Sequence, residues 1–272
     1  MQRSELWRIA TLNIWNRQGP WPQRLPLLQR GLRALDADVI ALQEVLAFPG
    51  VPNQAEELAA GTGWHVHYAA AWQIGGGLTM GNALLSPHPL RDTASLPLPT
   101  PPGLDTRTVA FARVETPHGA LPVFATHLTF QLHLGHVRCT QVRALAEHAA
   151  RLAPTHGPPP VLVGDFNADP DSDEMRFLRG LTPLGGESVY YSDCWLEGPG
   201  YTFDRANEYA LRTREPSRRI DYIYVRGPDR QLRGEPIASR LTMTDPVDGV
   251  WASDHYCVVA DVAAAARTVG PY

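Results

Sequence analysis

Polar or ionisable residues border six short apolar runs of this sequence. A buried carboxylate without a partner is costly, so such residues usually bind a metal, a cation or hydrogen-bond donors. The residues are Asn13, Glu44, His127, Asp165 with Asn167, Asp221, and Asp254 with His255. Six such positions in one chain favour a shared chemical site.

Two of these residues are suited to a hard metal ion. The carboxylate of Glu44 is the kind of oxygen ligand that Mg²⁺ prefers, and Mg²⁺ retains several waters and needs few protein ligands. Asn13 supplies a neutral oxygen or an amide donor beside it. We therefore expect a Mg²⁺ cofactor, with Mn²⁺ as a substitute.

The remaining residues are suited to acid–base and phosphate chemistry. Asp165 and Asn167 are separated by two positions, so on a strand both side chains point to the same face. One of them then orients or activates water while the other binds phosphate. Asp221 and His255 are predicted to form a carboxylate–imidazole pair that keeps the histidine charged.

Each position also has a purely structural alternative. In the structural alternative, Glu44 only caps the turn after its strand, and His127 is only a histidine of the core. Asp165 and Asn167 form a local Asx turn. Asp221 is an ordinary partner for a neighbouring arginine.

The elements that carry these residues alternate between strands and helices. Runs rich in β-branched residues predict strands over residues 7–14, 39–45, 64–70, 82–85, 108–115, 121–127, 161–166, 220–225 and 255–262. An apolar spacing of three and four predicts a helix through Leu25, Leu28, Leu32 and Leu35. Further helices are predicted over 134–152, burying Val137, Leu145, Ala149 and Leu152, and over 173–179. This succession predicts an α/β fold with two packed sheets and helices outside.

Length and composition limit the class of protein. The chain has 272 residues, 44% of them hydrophobic and 19% charged, which predicts one globular domain over 1–272. Two proline-rich stretches, 96–103 and 153–160, are interpreted as surface loops rather than linkers. The net charge of −4 argues against a strongly basic nucleic-acid surface.

Cysteine usage and hydropathy bear on location and assembly. The 3 cysteines, Cys139, Cys194 and Cys257, are widely spaced and indicate neither a disulfide framework nor a zinc site. The N-terminus lacks the apolar core of a signal peptide, and no run approaches the roughly 20 apolar residues of a membrane span. We expect a cytoplasmic protein, a monomer without an obligate protein partner.

An ordered set of motifs resembles a known family. The segments LN-W, LQEV, GNALLS, THL, GDFN, RIDYI and SDH occur between Asn13 and His255 in the order typical of the endonuclease/exonuclease/phosphatase superfamily. That superfamily includes deoxyribonucleases, apurinic endonucleases, inositol polyphosphate 5-phosphatases, deadenylases and neutral sphingomyelinases. The resemblance implies the DNase I-like fold, a four-layer α/β sandwich of two packed mixed sheets flanked by helices.

The resemblance also implies a role for each matching residue. Metal binding falls to Glu44, to its neighbour Asn13 and to Asp254, which supports the metal shell. Catalysis falls to Asp165 at the attacking water, Asn167 at the phosphate, His255 with its partner Asp221, and His127 as a second phosphate-contacting histidine. Asn82 and Arg107 are implied to bind substrate near the phosphate. The implied reaction is in-line attack of water on phosphorus without a covalent intermediate.

The substrate is the least determined feature. Trp15 after Asn13, and Asp204 with Asn207 upstream of RIDYI, resemble neutral sphingomyelinases and their bacterial relatives. A phosphodiesterase acting on a phospholipid headgroup or a similar small diester is therefore expected. The alternatives are a metal-dependent endo- or exonuclease on DNA or RNA, a sugar or inositol phosphate phosphatase, and a catalytically silent binding module.

Three sequence features bear on that choice. Trp21, Trp72 and Trp251 are candidate exposed aromatics for a membrane surface, although a single tryptophan is more often a core residue. Segment 73–81 is interpreted as a hairpin rather than a docking loop. The basic run Arg212, Arg214, Arg218 and Arg219 has three interpretations. In a nuclease it would contact a nucleic-acid backbone; otherwise it binds one multiply charged headgroup or is a solvated loop.

Overall fold

In the computed structural model, residues 1–153 and 156–266 are described, and they contain two six-stranded β-sheets. The strands are β1 Leu6–Asn13, β2 Val39–Ala47, β3 His65–Gly75, β4 Leu78–Ser86, β5 Leu90–Leu98, β6 Arg107–Thr116, β7 Gly119–His127, β8 Val161–Asp165, β9 Ser192–Asp193, β10 Asp221–Val225, β11 Pro236–Thr242 and β12 Cys257–Ala263. The α-helices are α1 Trp21–Ala34, α2 Gln54–Ala59, α3 Gly135–Leu152, α4 Asp173–Leu178 and α5 Glu208–Leu211, and a 3₁₀ turn covers Arg3–Glu5.

The sheets and helices form four layers. The first sheet has the order β11-β12-β1-β2-β4-β3, and the second has the order β5-β6-β7-β8-β10-β9. One apolar core lies between the two sheets. A second lies between the first sheet and helices α1 and α2, and a third lies between the second sheet and helices α3 and α4. The α/β sandwich of two mixed sheets is thereby confirmed.

Strand direction creates a single functional edge. Strands β1 and β2 are parallel, as are β7 and β8. Strand β12 runs antiparallel to β1, and β10 runs antiparallel to β8. The ends of β1, β7 and β8 therefore meet the starts of β10 and β12, which explains how distant motifs converge on one place.

The predicted helices are confirmed by their buried faces. Leu28 and Leu32 of α1 are fully buried against the first sheet. Helix α3 buries Val137, Leu145 and Ala149, as its apolar spacing predicts. Leu152 lies at the end of α3 and is only half-buried.

Three strands were absent from the sequence-based prediction. Strands β5 and β11 are sheet edges whose residues are exposed or only half-buried except at the end of β5, so they lack the apolar run by which a buried strand is recognised. Strand β9 is only two residues long. The expected loop over 96–103 is wrong for residues 96–98, which end β5, whereas in the second proline-rich stretch residues 154–155 lie outside the described part of the chain.

Two of the candidate surface tryptophans are core residues. Trp21 is 7% exposed at the start of α1, and Trp251 is 8% exposed in a cluster with Tyr209 and Tyr256. The core alternative, which the sequence favours for a single tryptophan, is therefore confirmed for both, because each ring packs against other apolar groups. Segment 73–81 is the β3–β4 hairpin, as predicted. No helix among the described residues is both long and apolar enough to cross a bilayer.

Candidate active site

Three adjacent strands of the second sheet present a row of functional side chains. His127 is the register partner of Asp165, and Asp165 is in turn the register partner of Asp221. Residues directly opposite each other on neighbouring strands point to the same face. The Nε2 atom of His127 lies 3.5 Å from Oδ2 of Asp165.

Asp221, the last residue of this row, forms a buried pair with His255. Nδ1 of His255 lies 2.8 Å from Oδ2 of Asp221, and both side chains are almost completely buried. The backbone N–H of Asp221 donates to the hydroxyl of Thr202 at 3.1 Å, which fixes the start of β10. His255 Nε2 is directed toward Asp165, 3.9 Å from its Oδ2.

A bulge in β2 directs Glu44 toward this row from the other sheet. The register between β2 and β4 shifts between Leu42 and Val45, and Glu44 has a φ of +59°. A bulge adds a residue to one strand and re-aims its side chain, which is common beside active sites. This local irregularity explains how a residue in the middle of β2 contributes to the edge.

Two asparagines orient the Glu44 carboxylate. Asn13 donates from Nδ2 to Glu44 Oε1 at 3.0 Å and to Asp165 Oδ2 at 3.1 Å. Asn16 donates from Nδ2 to Glu44 Oε2 at 2.8 Å. Asn16 was missed by the sequence prediction, although it ends the TLNIWN segment, because a loop residue carries no periodic signal.

Asp165 and Asn167 reach the site by a turn rather than along a strand. Strand β8 ends at Asp165, and Asn167 has a φ of +51°, so the two-residue alternation does not continue to it. The N–H of Asn167 donates to Asp165 Oδ1 at 2.8 Å, which is the local turn considered from the sequence. Both side chains nevertheless line one cavity.

The loop before β12 carries Asp254 to the first sheet's side of the site. The Ser253 hydroxyl donates to the carbonyl of Asn13 at 2.6 Å. Asn207, which caps α5, donates from Nδ2 to the Ser253 carbonyl at 2.8 Å. These bonds tie Asp254 to the strand that carries Asn13.

Burial dominates the electrostatics of the site. Desolvation, reinforced by Asp221, raises the pKa of Asp165 to about 7. Desolvation, reinforced by Glu44, likewise raises the pKa of Asp254 to about 7. Desolvation, with the positive charges of Arg107 and His255, holds the pKa of His127 well below its ordinary value.

His255 has the opposite behaviour. Burial alone lowers the pKa of an imidazole, yet the carboxylate of Asp221, aided by Asp254 and Asp165, raises the pKa of His255 well above its ordinary value. The site therefore contains one neutral histidine, His127, and one imidazolium, His255, at neutral pH.

The donor set fits a divalent cation. Glu44, Asp165 and Asp254 are hard oxygen donors that line one cavity, and burial disfavours the charged forms of Asp165 and Asp254, a cost that a cation offsets. In the described chain, atoms of Asp165, Asp221 and His255 also lie within 4.8 Å of one another. Two of those three groups already bind each other, which leaves Glu44 and Asp254 as the more available carboxylates.

The site opens into a cavity of about 450 Å³. Its catalytic wall contains Asn13, Glu44, His127, Asp165, Asn167, Asp254 and His255, and its outer walls include Trp15, Trp72, Met80 and Phe130. The aromatic walls were not predicted as a group, because their residues come from separate loops and strands.

Of the two residues expected near the phosphate, only Arg107 reaches the cavity. Its side chain is 7% exposed, and its Nε is a buried donor with no partner. Asn82 lines a small neighbouring pocket with Arg107 and His127, and its Nδ2 donates to the Thr108 carbonyl at 2.8 Å, which joins the two sheets. A contact between Asn82 and substrate stays a prediction.

The basic run before β10 is divided between two environments. Arg218 is buried and pairs with Asp169 at 3.0 Å, and Arg219 is buried and pairs with Asp193 at 2.8 Å. Neither pairs with Asp221, so that structural alternative is wrong. Arg212 and Arg214 are exposed.

Comparison with known proteins supports the architecture. A structure from Beutenbergia cavernae, described as an endonuclease/exonuclease/phosphatase, is 25% identical with a TM-score of 0.73 and covers 95% of this chain and 72% of its own. TDP2 from D. rerio, solved with a single-strand DNA product, is 19% identical with a TM-score of 0.74 over 94% of this chain and 98% of its own. An identity this low shows the fold alone.

Sequence relatives support the same assignment. Protein angel from Drosophila melanogaster is 31% identical over 171 residues, which are 59% of this chain, and the chain spans only 47% of that relative. The model of the Endonuclease/Exonuclease/phosphatase family matches residues 10–255. The chain thus belongs to the endonuclease/exonuclease/phosphatase family, whose members are metal-dependent phosphoric ester hydrolases.

Proposed function

We propose that this chain is a phosphodiesterase of a single catalytic domain that hydrolyses a small phosphodiester with Mg²⁺ or Mn²⁺. One observation carries the proposal: the imidazolium of His255, paired with Asp221 at 2.8 Å, faces Asp165 in a cavity that Glu44 also lines. An imidazolium, a base and metal-binding carboxylates in one cavity are what in-line attack of water on phosphorus requires.

The attacking water is assigned to Asp165. Its carboxylate is 1% exposed and accepts from Asn13 and from the N–H of Asn167, so its position is fixed before substrate binds. In this proposal Asp165 orients the water and accepts its proton. The Asn167 side chain contacts a phosphoryl oxygen from the turn that follows.

The phosphoryl oxygens are assigned to the cationic side of the cavity. His255 donates from Nε2, because its Nδ1 is engaged by Asp221. The unpartnered Nε of Arg107 provides a further donor that has no acceptor within the protein. His127 is neutral and close to Arg107, so it serves as a hydrogen-bonding group rather than as a second cation.

Metal binding is assigned to Glu44, Asn13 and Asp254. Both oxygens of Glu44 are oriented by asparagine amides, which fixes the carboxylate. A cation held by these residues would supply positive charge to the phosphate. Since magnesium and manganese share this oxygen chemistry, Mn²⁺ is the probe of choice for binding.

The cavity favours a small diester over a polymer. A volume of about 450 Å³ suits a ligand of modest size, and aromatic walls formed by Trp15, Trp72 and Phe130 suit an apolar substituent. Arg218 and Arg219 are engaged in ion pairs, so the basic run offers only half of its charges to a nucleic-acid backbone. A phospholipid headgroup is therefore the first substrate class to test.

The test is a hydrolysis panel with Mg²⁺, Mn²⁺ and EDTA. It contains bis-p-nitrophenyl phosphate, sphingomyelin in mixed micelles, single-stranded and plasmid DNA, and an inositol polyphosphate, each with wild type and His255→Ala. We expect metal-dependent cleavage of small diesters and a loss of roughly 10²-fold or more in kcat in the variant. Preferred cleavage of DNA or of the inositol phosphate supports the nuclease or phosphatase alternative, and absence of turnover on every substrate contradicts the proposal.

We also propose that the protein functions as a monomer in the reducing cytoplasm. Cys139, Cys194 and Cys257 are all free thiols, and two of them are buried. Recovery of the protein from culture medium or a membrane fraction would contradict the proposed location.

A further inference from the structure

Arg24 is a charged residue in the middle of the apolar layer beneath α1. Its side chain has no exposed surface, and its guanidinium lies 5.0 Å from the ring of Trp15 and 5.5 Å from the ring of Trp21. Among the described residues, no carboxylate lies within ion-pair distance of Arg24. Burying an arginine without such a partner is costly, so its other contacts are informative.

The donors of Arg24 bind backbone carbonyls of two separate loops. In the loop after β1, Nη1 donates to Gln18 at 2.7 Å and more weakly to Trp15 and Asn16, and Nη2 donates to Ile14. In the loop before β12, Nε donates to the carbonyl of Ala252 at 3.0 Å. One side chain therefore joins chain segments more than two hundred residues apart.

One of these loops carries a residue that orients the proposed metal ligand Glu44, and the other carries the proposed ligand Asp254. The loop after β1 contains Asn16 and directly follows Asn13. These two asparagines orient the oxygens of Glu44. The loop before β12 contains Asp254. The charge of Arg24 also interacts favourably with Asp254 and Glu44 from behind the site.

We propose that Arg24 is a positioning residue that sets the distance between Glu44 and Asp254 and thereby the affinity for a divalent cation. The inference rests on the proposed metal-dependent function, because it concerns the same site. Arg24 has no contact with the cavity, so it acts through the two loops rather than on substrate. Lysine cannot replace it fully, since an ammonium has three donors on one atom and no planar fork.

The test measures Mn²⁺ binding without substrate, by calorimetry and by the electron paramagnetic resonance of free Mn²⁺. Wild type is compared with Arg24→Met and Arg24→Lys. We expect Arg24→Met to weaken Mn²⁺ binding about 10-fold or more, as loss of a residue that orients metal ligands does, and Arg24→Lys to weaken it less. The Mg²⁺ concentration for half-maximal activity should shift by the same factor, with kcat at saturating Mg²⁺ less affected.

A matched control separates positioning from stability. The control is Arg8→Met. Arg8 is a half-buried arginine of β1 that lies away from the site, pairs with Asp261 at 2.7 Å and donates to the Leu35 carbonyl. Arg8→Met should lower the melting temperature and leave Mn²⁺ affinity unchanged. Arg24→Lys provides the decisive comparison if Arg24→Met does not fold.

The outcomes distinguish the two proposals. If wild type binds Mn²⁺ and folded Arg24→Met binds it within twofold of wild type, the positioning role is wrong and the metal site stands; where Arg24→Met does not fold, the same result for Arg24→Lys contradicts the role. If Arg8→Met weakens binding as much as Arg24→Met, the effect is general destabilisation and the positioning role is again wrong. If wild type binds no Mn²⁺, the proposed metal-dependent function fails, and this inference fails with it.

Discussion

Replacing Asp221 by asparagine tests the charge on His255 with almost no change in shape. The Asp221 carboxylate accepts from Nδ1 of His255 at 2.8 Å with both groups buried, and the carbonyl of an asparagine can still accept that bond. The histidine ring should therefore keep its orientation and tautomer. What it loses is the negative charge that favours the imidazolium.

The expected effect follows from the strength of this bond. A hydrogen bond to a charged group contributes about 1.5–3 kcal/mol, roughly twice a neutral one, and the lost imidazolium also weakens the contact to the phosphate. We expect a loss of about 2–3 kcal/mol in transition-state stabilisation, which corresponds to an about 30- to 160-fold lower kcat. KM should change less, since the charge matters most as the transition state forms.

The assay is hydrolysis of bis-p-nitrophenyl phosphate at saturating Mg²⁺, with circular dichroism to verify folding. Asp193→Asn is the matched control, because Asp193 pairs with Arg219 at 2.8 Å on the strand beside β10, outside the cavity. A folded Asp221→Asn enzyme with kcat within threefold of wild type would refute the role of the His255 charge. Weaker Mn²⁺ binding in Asp221→Asn would instead place the cation among Asp165, Asp221 and His255.

Three further predictions concern the metal, a strand and a buried ion pair. Glu44→Gln should weaken Mn²⁺ binding and Mg²⁺-dependent activity together, and an unchanged Mg²⁺ titration would contradict the assignment. Gly164→Ala should lower the free energy of unfolding in urea by more than about 3 kcal/mol, because φ is +139° and a Cβ would lie 2.0 Å from a backbone oxygen of β7. The control Gly61→Ala, with φ +73° and open space around it, should lower it by only about 1 kcal/mol. Glu174→Gln should cost about 3–5 kcal/mol of stability by leaving buried Arg138, 2.6 Å away, without its charge partner, and equal melting temperatures would contradict this.

The central strands could be predicted from sequence because burial on both faces leaves a continuous apolar run. Strands β1, β8 and β12 are of this kind. The edge strands β5 and β11 could not, because exposure removes the apolar signal and pairing with one neighbour is decided by tertiary contacts. The proline at position 97 also argues against a strand, although edges tolerate it.

The candidate site could be predicted where a residue directly borders an apolar run. His127, Asp165 and Asp221 do so, and their alignment follows from strand register. The approach of Asn16 and Asn167 depends on left-handed backbone conformations, with φ of +35° and +51°, that residue type alone does not specify. Such conformations cost energy and persist only where surrounding contacts fix them.

Arg24 shows why those surrounding contacts escape sequence analysis. The sequence of a helix predicts that an arginine between apolar positions is solvated or only partly buried. The polar partners of Arg24 are backbone carbonyls, which every residue possesses, so residue type does not reveal them. The proposed role of Arg24 in joining the loop after β1 to the loop before β12 becomes apparent only in the folded chain, where both loops contact it. A site composed of buried carboxylates must be fixed from behind, since the carboxylates repel one another until a cation binds. The residues that supply this support are therefore as important to the proposed chemistry as those that border the cavity, and they become visible only in three dimensions.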